Sequence, residues 1–174
     1  TYTFYSLSLS PNGKSLLVSA GTAVREIDLA VLKLNRLGTG YQASLTAVAI
    51  SPDSRWIASA AFDGQGVNVW DAVTRETRTL PANAKSDVLA LAFSPDSRTI
   101  ATGGRLSQGL ESLVQLWDVI AGREIHAIPT RGSVDSLAFS PSGQTLAWCD
   151  LSMLIRLWDV ATQRETTALK GHED

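Results

Sequence analysis

The chain has 174 residues and a mass of 18.6 kDa, with 15 Lys and Arg against 17 Asp and Glu for a formal net charge of -2. With 44% hydrophobic and 18% charged residues, it can bury roughly 70% of its unfolded surface as one domain or one repeat array, which excludes intrinsic disorder. Balanced charge and a pI of about 5.6 exclude a clustered Lys and Arg surface for nucleic acid or acidic membrane.

In chain order, the first β-prone run is Phe4 to Leu9, followed by the turn Ser10-Pro11-Asn12-Gly13 and a second run from Leu16 to Val18. The turn recurs as Ser51-Pro52-Asp53-Ser54, Ser94-Pro95-Asp96-Ser97 and Ser140-Pro141-Ser142-Gly143, at offsets of 41, 43 and 46 residues. Each is flanked in the same way: Leu45 to Ile50 and Trp56 to Ala58, Val88 to Phe93 and Thr99 to Ala101, Val134 to Phe139 and Thr145 to Trp148. Apolar runs around a Pro and Asn, Asp or Gly turn predict hairpins. A second marker keeps step, Ile27-Asp28 in the first unit and then Trp70-Asp71, Trp117-Asp118 and Trp158-Asp159, each closing a third strand such as 113–117. A fourth, polar run follows, as in 75–80 and 164–169, charged as a solvent-facing edge strand must be to resist aggregation. No stretch carries the helical period of a crossover.

Four antiparallel strands repeating about every 43 residues, apolar inside and polar outside, describe one propeller blade. The expected fold is therefore all-β, a β-propeller of four-stranded antiparallel blades. Blade one covers 1–37, blade two 38–80, blade three 81–128 and blade four 129–174. Packing of each blade between neighbours explains first strands that are almost continuously apolar.

The lone cysteine, Cys149, cannot form an internal disulfide, which points to a reducing, cytoplasmic setting. The longest apolar stretches, such as 88–93, fall far short of the roughly 20 residues that span a bilayer. Residues 1–5 lack the basic-then-apolar pattern of a signal peptide, and the missing initiator methionine points to processing or excision from a longer sequence.

The segments Phe93-Ser94-Pro95-Asp96, Ile100-Ala101-Thr102-Gly103-Gly104, Val114-Gln115-Leu116-Trp117-Asp118-Val119 and Gly171-His172-Glu173-Asp174 resemble the WD-repeat β-propellers, and the resemblance spans all four units. The Ser-Pro-Asp-Ser turns and Ala-rich strands are similar to bacterial members. In that family a His, a Ser, an Asp and the third-strand Trp often lock a blade by hydrogen bonds. Here the His position holds Tyr41, Ala84 and Thr130 in blades two, three and four. Blade two keeps Ser59, Asp63 and Trp70, whereas blade four has Trp158 in place but Trp148 where Ser belongs and Ser152 where Asp belongs. With no complete set, aromatic and aliphatic packing must carry more of the stability. The turn between second and third strands is short in blade one, 20–23, and about five residues longer than the family spacing in blade three, 104–112. That insertion is either a tolerated surface loop or a specificity loop.

Signs of chemistry are weak. Gly13-Lys14-Ser15 imitates a phosphate-binding loop, but Ser8 stands where a glycine is required and a strand follows. Cys149 and His126 fall on different strands, so Cys149 is expected to be a buried structural thiol. Two His and one Cys do not make a zinc site. Asp53 and Asp96 are turn residues, Asp71, Asp118 and Asp159 end third strands, and Trp70, Trp117 and Trp158 are core positions. Trp148 is expected to fill the space left by the missing hydrogen-bonded set. No catalytic residue, metal or cofactor is implied.

The resemblance implies a non-enzymatic scaffold binding a protein or peptide, with no nucleic-acid or membrane partner, through turns at the top of the ring. The partner-binding candidates are Tyr41, Gln42, Phe62, Gln65, Lys85, Arg105, Leu106 and Arg131, in part because Tyr, Phe and Arg are common interface anchors. The alternative is a small ligand or chemistry at the central channel, which aliphatic Val48, Leu91 and Leu137 disfavour. Family rings usually close with about seven blades. Four blades therefore suggest a segment of a longer propeller, or a half-ring that dimerises to eight through Phe4, Leu7, Leu9 and His172.

Overall fold

The computed structural model describes residues 4–38, 43–62, 64–82, 86–106, 111–150 and 152–170, all as strand, turn or connecting segment. Four separate four-stranded antiparallel sheets follow one another along the chain, each with its strands in sequence order. Blade one comprises β1 (Phe4–Leu9), β2 (Ser15–Ala20), β3 (Ala23–Asp28) and β4 (Lys33–Gly38). Blade two comprises β5 (Leu45–Ile50), β6 (Trp56–Ala61), β7 (Val67–Asp71) and β8 (Thr77–Leu80). Blade three comprises β9 (Ser86–Phe93), β10 (Thr99–Leu106), β11 (Glu111–Asp118) and β12 (Arg123–Arg131), and blade four β13 (Ser136–Phe139), β14 (Thr145–Cys149), β15 (Leu154–Asp159) and β16 (Arg164–Lys170).

The Ser-Pro turns form for local reasons. In each, the backbone N–H of the fourth residue donates to the Ser carbonyl, and the first residue of the next strand donates its N–H to the Ser hydroxyl: Ser15 to Ser10 at 2.8 Å, Trp56 to Ser51 at 2.8 Å, Thr99 to Ser94 at 3.0 Å and Thr145 to Ser140 at 3.1 Å. The third residue, Asn12, Asp53, Asp96 or Ser142, accepts from the N–H two residues on, a side chain standing in for a turn carbonyl. The fourth sits at positive φ, as Gly13, Ser54, Ser97 and Gly143. A serine tolerates that strained region at Ser97, where its hydroxyl accepts the Asp53 N–H of blade two at 3.1 Å.

The Asp that closes each third strand organises the turn after it. Asp28, Asp71, Asp118 and Asp159 each accept backbone N–H groups two or three residues ahead. The residue four beyond the Asp is again left-handed, Leu32, Arg75, Gly122 or Gln163. These carboxylates are turn-makers in the folded chain.

Apolar clusters bind neighbouring blades. Leu17 and Val24 of blade one pack with Leu45, Val48, Ile57 and Ala61 of blade two. Val67, Val69 and Leu80 of blade two pack with Val88, Phe93, Ile100 and Trp117 of blade three. Val114, Leu116 and Ile128 of blade three pack with Val134, Leu146 and Trp148 of blade four. Each fully buried aliphatic side chain contributes about 1.5–3 kcal/mol, so the core is a series of inter-blade layers. The innermost strands run β1 on β5, β5 on β9 and β9 on β13, with no comparably packed β13 and β1 pair among the described residues.

Three sequence expectations change here. Residues 104–106 and 111–112, assigned to a long loop, extend the β10 and β11 strands, because added residues can continue strand pairing at little entropic cost. β12 runs through Arg131, past the 128 boundary given for blade three, and Arg131 pairs with Glu111 across the sheet rather than lying in a connecting turn. Cys149 is exposed rather than buried, since it ends β14 with the side chain on the opposite face from Trp148, which packs against blade three.

Candidate interaction surface

The ends of second strands and the starts of first strands lie together at one end of each blade, as shown by the pairs Leu45 with Ala61, Leu106 with Ser86 and Ser136 with Cys149. Of the sequence-predicted partner residues, Phe62, Arg105 and Leu106 fall at this end. Phe62 follows β6 directly and its N–H donates to the Ser44 carbonyl at 3.0 Å, which sets the ring at the rim of blade two, 38% exposed.

Arg105 reaches that ring from blade three. Its guanidinium carbon lies 5.8 Å from the Phe62 centroid, within cation–π range. Its Nε donates to the Asp87 carboxylate at 3.3 Å while the side chain stays 55% exposed. The backbone beneath is shaped by two glycines. A Cβ at Gly104 would meet the Asp87 carbonyl at 1.9 Å, and one at Gly103 would meet the Val134 Cγ1 at 2.6 Å. Only glycine lets β10 approach β9 and blade four this closely. The Gly104 carbonyl then accepts the Ser112 hydroxyl at 2.6 Å and the Val134 N–H at 2.9 Å, fixing the strand that carries Arg105.

Of the other candidates, Gln65 is exposed in the turn after β6. Leu106 ends β10 beside Ser86, and Arg131 is exposed at the end of β12. Tyr41, Gln42, Lys85 and His172 lie outside the described residues, as do Ala84 and Asp63 of the expected locking sets. The structure thus joins Phe62 to Arg105 across two blades and leaves Arg131 farther along.

Two residues were missed by sequence reasoning. In blade three the Trp117 indole N–H donates to the buried Thr102 hydroxyl at 3.3 Å, so Thr102 serves as the Ser of the family set. Aligning the Ser-Pro turns would have found it, because Thr102 holds the Ser59 place. In blade four Asp150 takes the acidic role expected two residues later at Ser152. Its side chain is fully buried and accepts from Arg156 Nε at 2.9 Å, from the Ser152 N–H at 2.9 Å and hydroxyl, and from the Arg131 N–H at 3.4 Å. Arg156 continues to Glu165 at 2.8 Å. Burial pushes the Asp150 carboxyl upward, but the Ser152 and Arg156 hydrogen bonds outweigh it and hold the group below its ordinary value.

Trp148 is buried and tilted against Trp158, with centroids 6.4 Å apart, and Trp158 also meets the His126 ring at 5.5 Å. Trp148 therefore fills the space. Among the described residues, no group of three or more His, Cys, Asp or Glu stands together to hold a metal ion. The rim exposes a fixed guanidinium beside an aromatic face.

Residues 33–71, 74–118 and 122–159 match the family described as WD domain, G-beta repeat. Each matched segment begins at or just before the outer strand of one blade and ends on the Asp that closes the third strand of the next, so the sequence repeat straddles two sheets. The first three strands of blade one lie ahead of the matches, and there Ile27 occupies the Trp place. With these matches over more than half its length and four consecutive antiparallel blades, the chain belongs to the WD-repeat family of β-propellers.

Proposed function

We propose that this chain is a non-enzymatic interaction scaffold that takes a protein or peptide partner at the rim of blades two and three, centred on Phe62, Gln65 and Arg105. WD-repeat proteins generally mediate protein–protein interactions, and a fold alone names no partner. The observation that supports this rim is Arg105, held by Phe62 and Asp87 yet half exposed. It costs little further ordering on binding, and Arg beside an aromatic ring is favoured chemistry for an interface anchor. The partner that suits it is a peptide offering a carboxylate next to an apolar side chain. Leu106 and Arg131 form the periphery of the proposed surface, and the sequence reading adds Tyr41, Gln42 and Lys85 as partner-binding candidates.

In this reading the chain works in the cytoplasm, without nucleic acid or membrane, as part of a ring whose remaining blades come from a longer chain or a second copy. Affinity capture followed by direct titration of the captured protein tests the rim. Phe62→Ala and Arg105→Ala should each weaken binding about tenfold, the scale of one interface anchor, without changing Tm. Wild-type affinity in both variants overturns the assignment. A reproducible Tm rise with a metabolite would instead favour a ligand in the channel.

A further inference from the structure

The seam between blades two and three opens at its outer edge into a groove of about 600 Å³ lined by Glu76, Thr77, Arg78, Thr79, Ala121 and Gly122. One wall is β8, the outermost strand of blade two, and the other is the turn that joins β11 to β12 in blade three. An outer strand has no sheet neighbour on one side, and the pairing on its other side decides which of its groups point there. In blade two the Asp71 N–H donates to the Glu76 carbonyl at 3.0 Å, and Trp70 with Thr77, Val69 with Arg78 and Asn68 with Thr79 follow in unbroken register. Antiparallel pairs alternate, so Arg78 turns its N–H and C=O toward β7, while Thr77 and Thr79 turn theirs to the free edge. In the other three blades the outer pair carries a register shift, between Val24 and Arg25, Leu116 and Trp117, and Leu157 and Trp158. The β7 and β8 pair carries none. Thr77 also stands opposite Trp70 where blades three and four set Glu124 and Glu165 opposite their Trp. Bulges and charges are the devices that keep an edge from pairing, and this edge has neither at that place.

β8 is four residues long, so strand pairing alone gives a short contact and side chains must add to it. Arg78 is placed to do so. Its Nη1 donates to the Val119 carbonyl at 3.2 Å and to the Ile120 carbonyl, and its guanidinium carbon lies 5.5 Å from the Trp56 ring centroid. A Cβ at Gly122 would sit 3.7 Å from the Arg78 Cδ, so the side chain runs alongside the blade-three turn. All of these contacts are to neutral groups. Arg55, Arg105 and Arg156 each pair with a carboxylate, and Arg78 pairs with none among the described residues. Half-buried and held across the seam, this cation needs little further ordering to meet a carboxylate. Ile120, whose carbonyl it binds, is 61% exposed.

We propose that this groove takes a short extended segment of a partner protein, which adds a strand to the Thr77 and Thr79 edge of β8 and sets an acidic side chain against Arg78 and an apolar one against Ile120. The main-chain groups at the free edge select an extended backbone, because a strand offers donors and acceptors at the matching two-residue spacing. The guanidinium without a carboxylate selects the acid. Blades two and three are each packed on both sides within the described chain, so the groove forms whatever stands beyond blades one and four. It lies toward the end of the blades opposite Phe62 and Arg105, as the pairs Trp70 with Thr77 and Asp118 with Arg123 show, and is independent of the rim proposed above.

Fluorescence anisotropy with a panel of labelled synthetic peptides that alternate Asp with Val, Ile or Thr tests the groove. The tightest should bind saturably, and its copy with Lys for each Asp should bind about tenfold more weakly or worse. Of two copies N-methylated at alternate backbone nitrogens, one should bind like the parent and the other should lose binding, since a paired strand uses every second N–H. On the protein, Thr79→Pro removes an edge N–H without breaking the β7 ladder. Ala121→Glu, in an exposed turn, narrows the groove and opposes the acidic peptide, and it keeps the test open if Thr79→Pro fails to fold. Each variant should weaken binding about tenfold or more at unchanged circular dichroism. Phe62→Ala and Arg105→Ala should leave this binding unchanged, so failure of the rim and failure of the groove are separable. No saturable binding across the panel, equal affinity for the Asp and Lys peptides, equal effects of the two methylated copies, or full affinity in Ala121→Glu would each overturn the proposal.

Discussion

Blades three and four share one architecture but close it by different chemistry. In blade three buried side-chain bonds tie the second and third strands, from the Trp117 indole to the Thr102 hydroxyl and from the Ser112 hydroxyl to the Gly104 carbonyl. In blade four Trp148 occupies the Thr102 place, and the indole N–H groups of Trp148 and Trp158 are buried with no hydrogen-bond partner among the described residues. The tie moves instead to the strand ends, where Asp150 gathers Arg156, Ser152 and the Arg131 N–H. Two packed indoles cannot bond to each other as Trp bonds to Thr, since each has only a donor. What the repeat preserves is a link between two strands, and either a neutral bond or an ion pair provides it.

The most forceful way to break this comparison is Asp150→Ala. It leaves the Arg156 guanidinium, 19% exposed, with Glu165 as its remaining carboxylate, and should destabilise by about 3 kcal/mol, as removal of one partner of a buried pair does. Urea unfolding with an unchanged slope would measure it. A loss under 1 kcal/mol would mean that aromatic packing alone holds blade four.

Thr102→Val keeps the shape and strands the Trp117 N–H, with an expected loss of about 1–2 kcal/mol. The paired test is Trp117→Phe against Trp158→Phe. Both shrink an indole, but only the first breaks a hydrogen bond, so it should cost about 1 kcal/mol more. Equal losses would erase the distinction between the blades.

Acid sharpens the comparison further. The Asp150 carboxyl is held low in the folded chain, so the native state binds fewer protons than the unfolded one near the ordinary value of about 3.9. Its stabilisation is fully present above that value and is lost as pH falls through the lower folded value. Asp71, held low mainly by the Thr74 N–H, Asp96, held low mainly by the Ser94 hydroxyl, and Asp159, held low mainly by the Thr162 N–H, act in the same direction. Stability should be flat from about pH 5 to neutrality and decline below about pH 4, with a shallower decline in Asp150→Asn.

The smallest effect separates the blades at one turn position, which is Gly122 in blade three and Gln163 in blade four, both at positive φ. Gln163→Gly should relieve strain and change stability by about 0 to +1 kcal/mol, whereas Gly122→Gln should cost about 1 kcal/mol, both read from Tm.

Much of this was readable in the residues. The Ser-Pro turns fold through contacts among six neighbouring residues, so their positions and flanking strands followed from local chemistry. The role of Trp148 was legible from its bulk at a small-residue place. Thr102 went unnamed because only the expected Ser was sought, and Asp150 because its partners, Arg131 and Arg156, lie on two other strands. Arg105 was singled out by residue type, but its contact with Phe62 joins residues more than forty positions apart and depends on how two blades pack.

The sequence by itself determined the blade count, the strand order within each blade and the turn chemistry, because each depends on residues close along the chain and on a period repeated four times. Only the tertiary structure decided which apolar rows are covered. Ile128 and Leu169 hold the same repeat position, yet the first is buried against a following blade and the second lies half open to solvent. Burial is set by what stands opposite in space, and a repeating sequence places the same residue type in both settings.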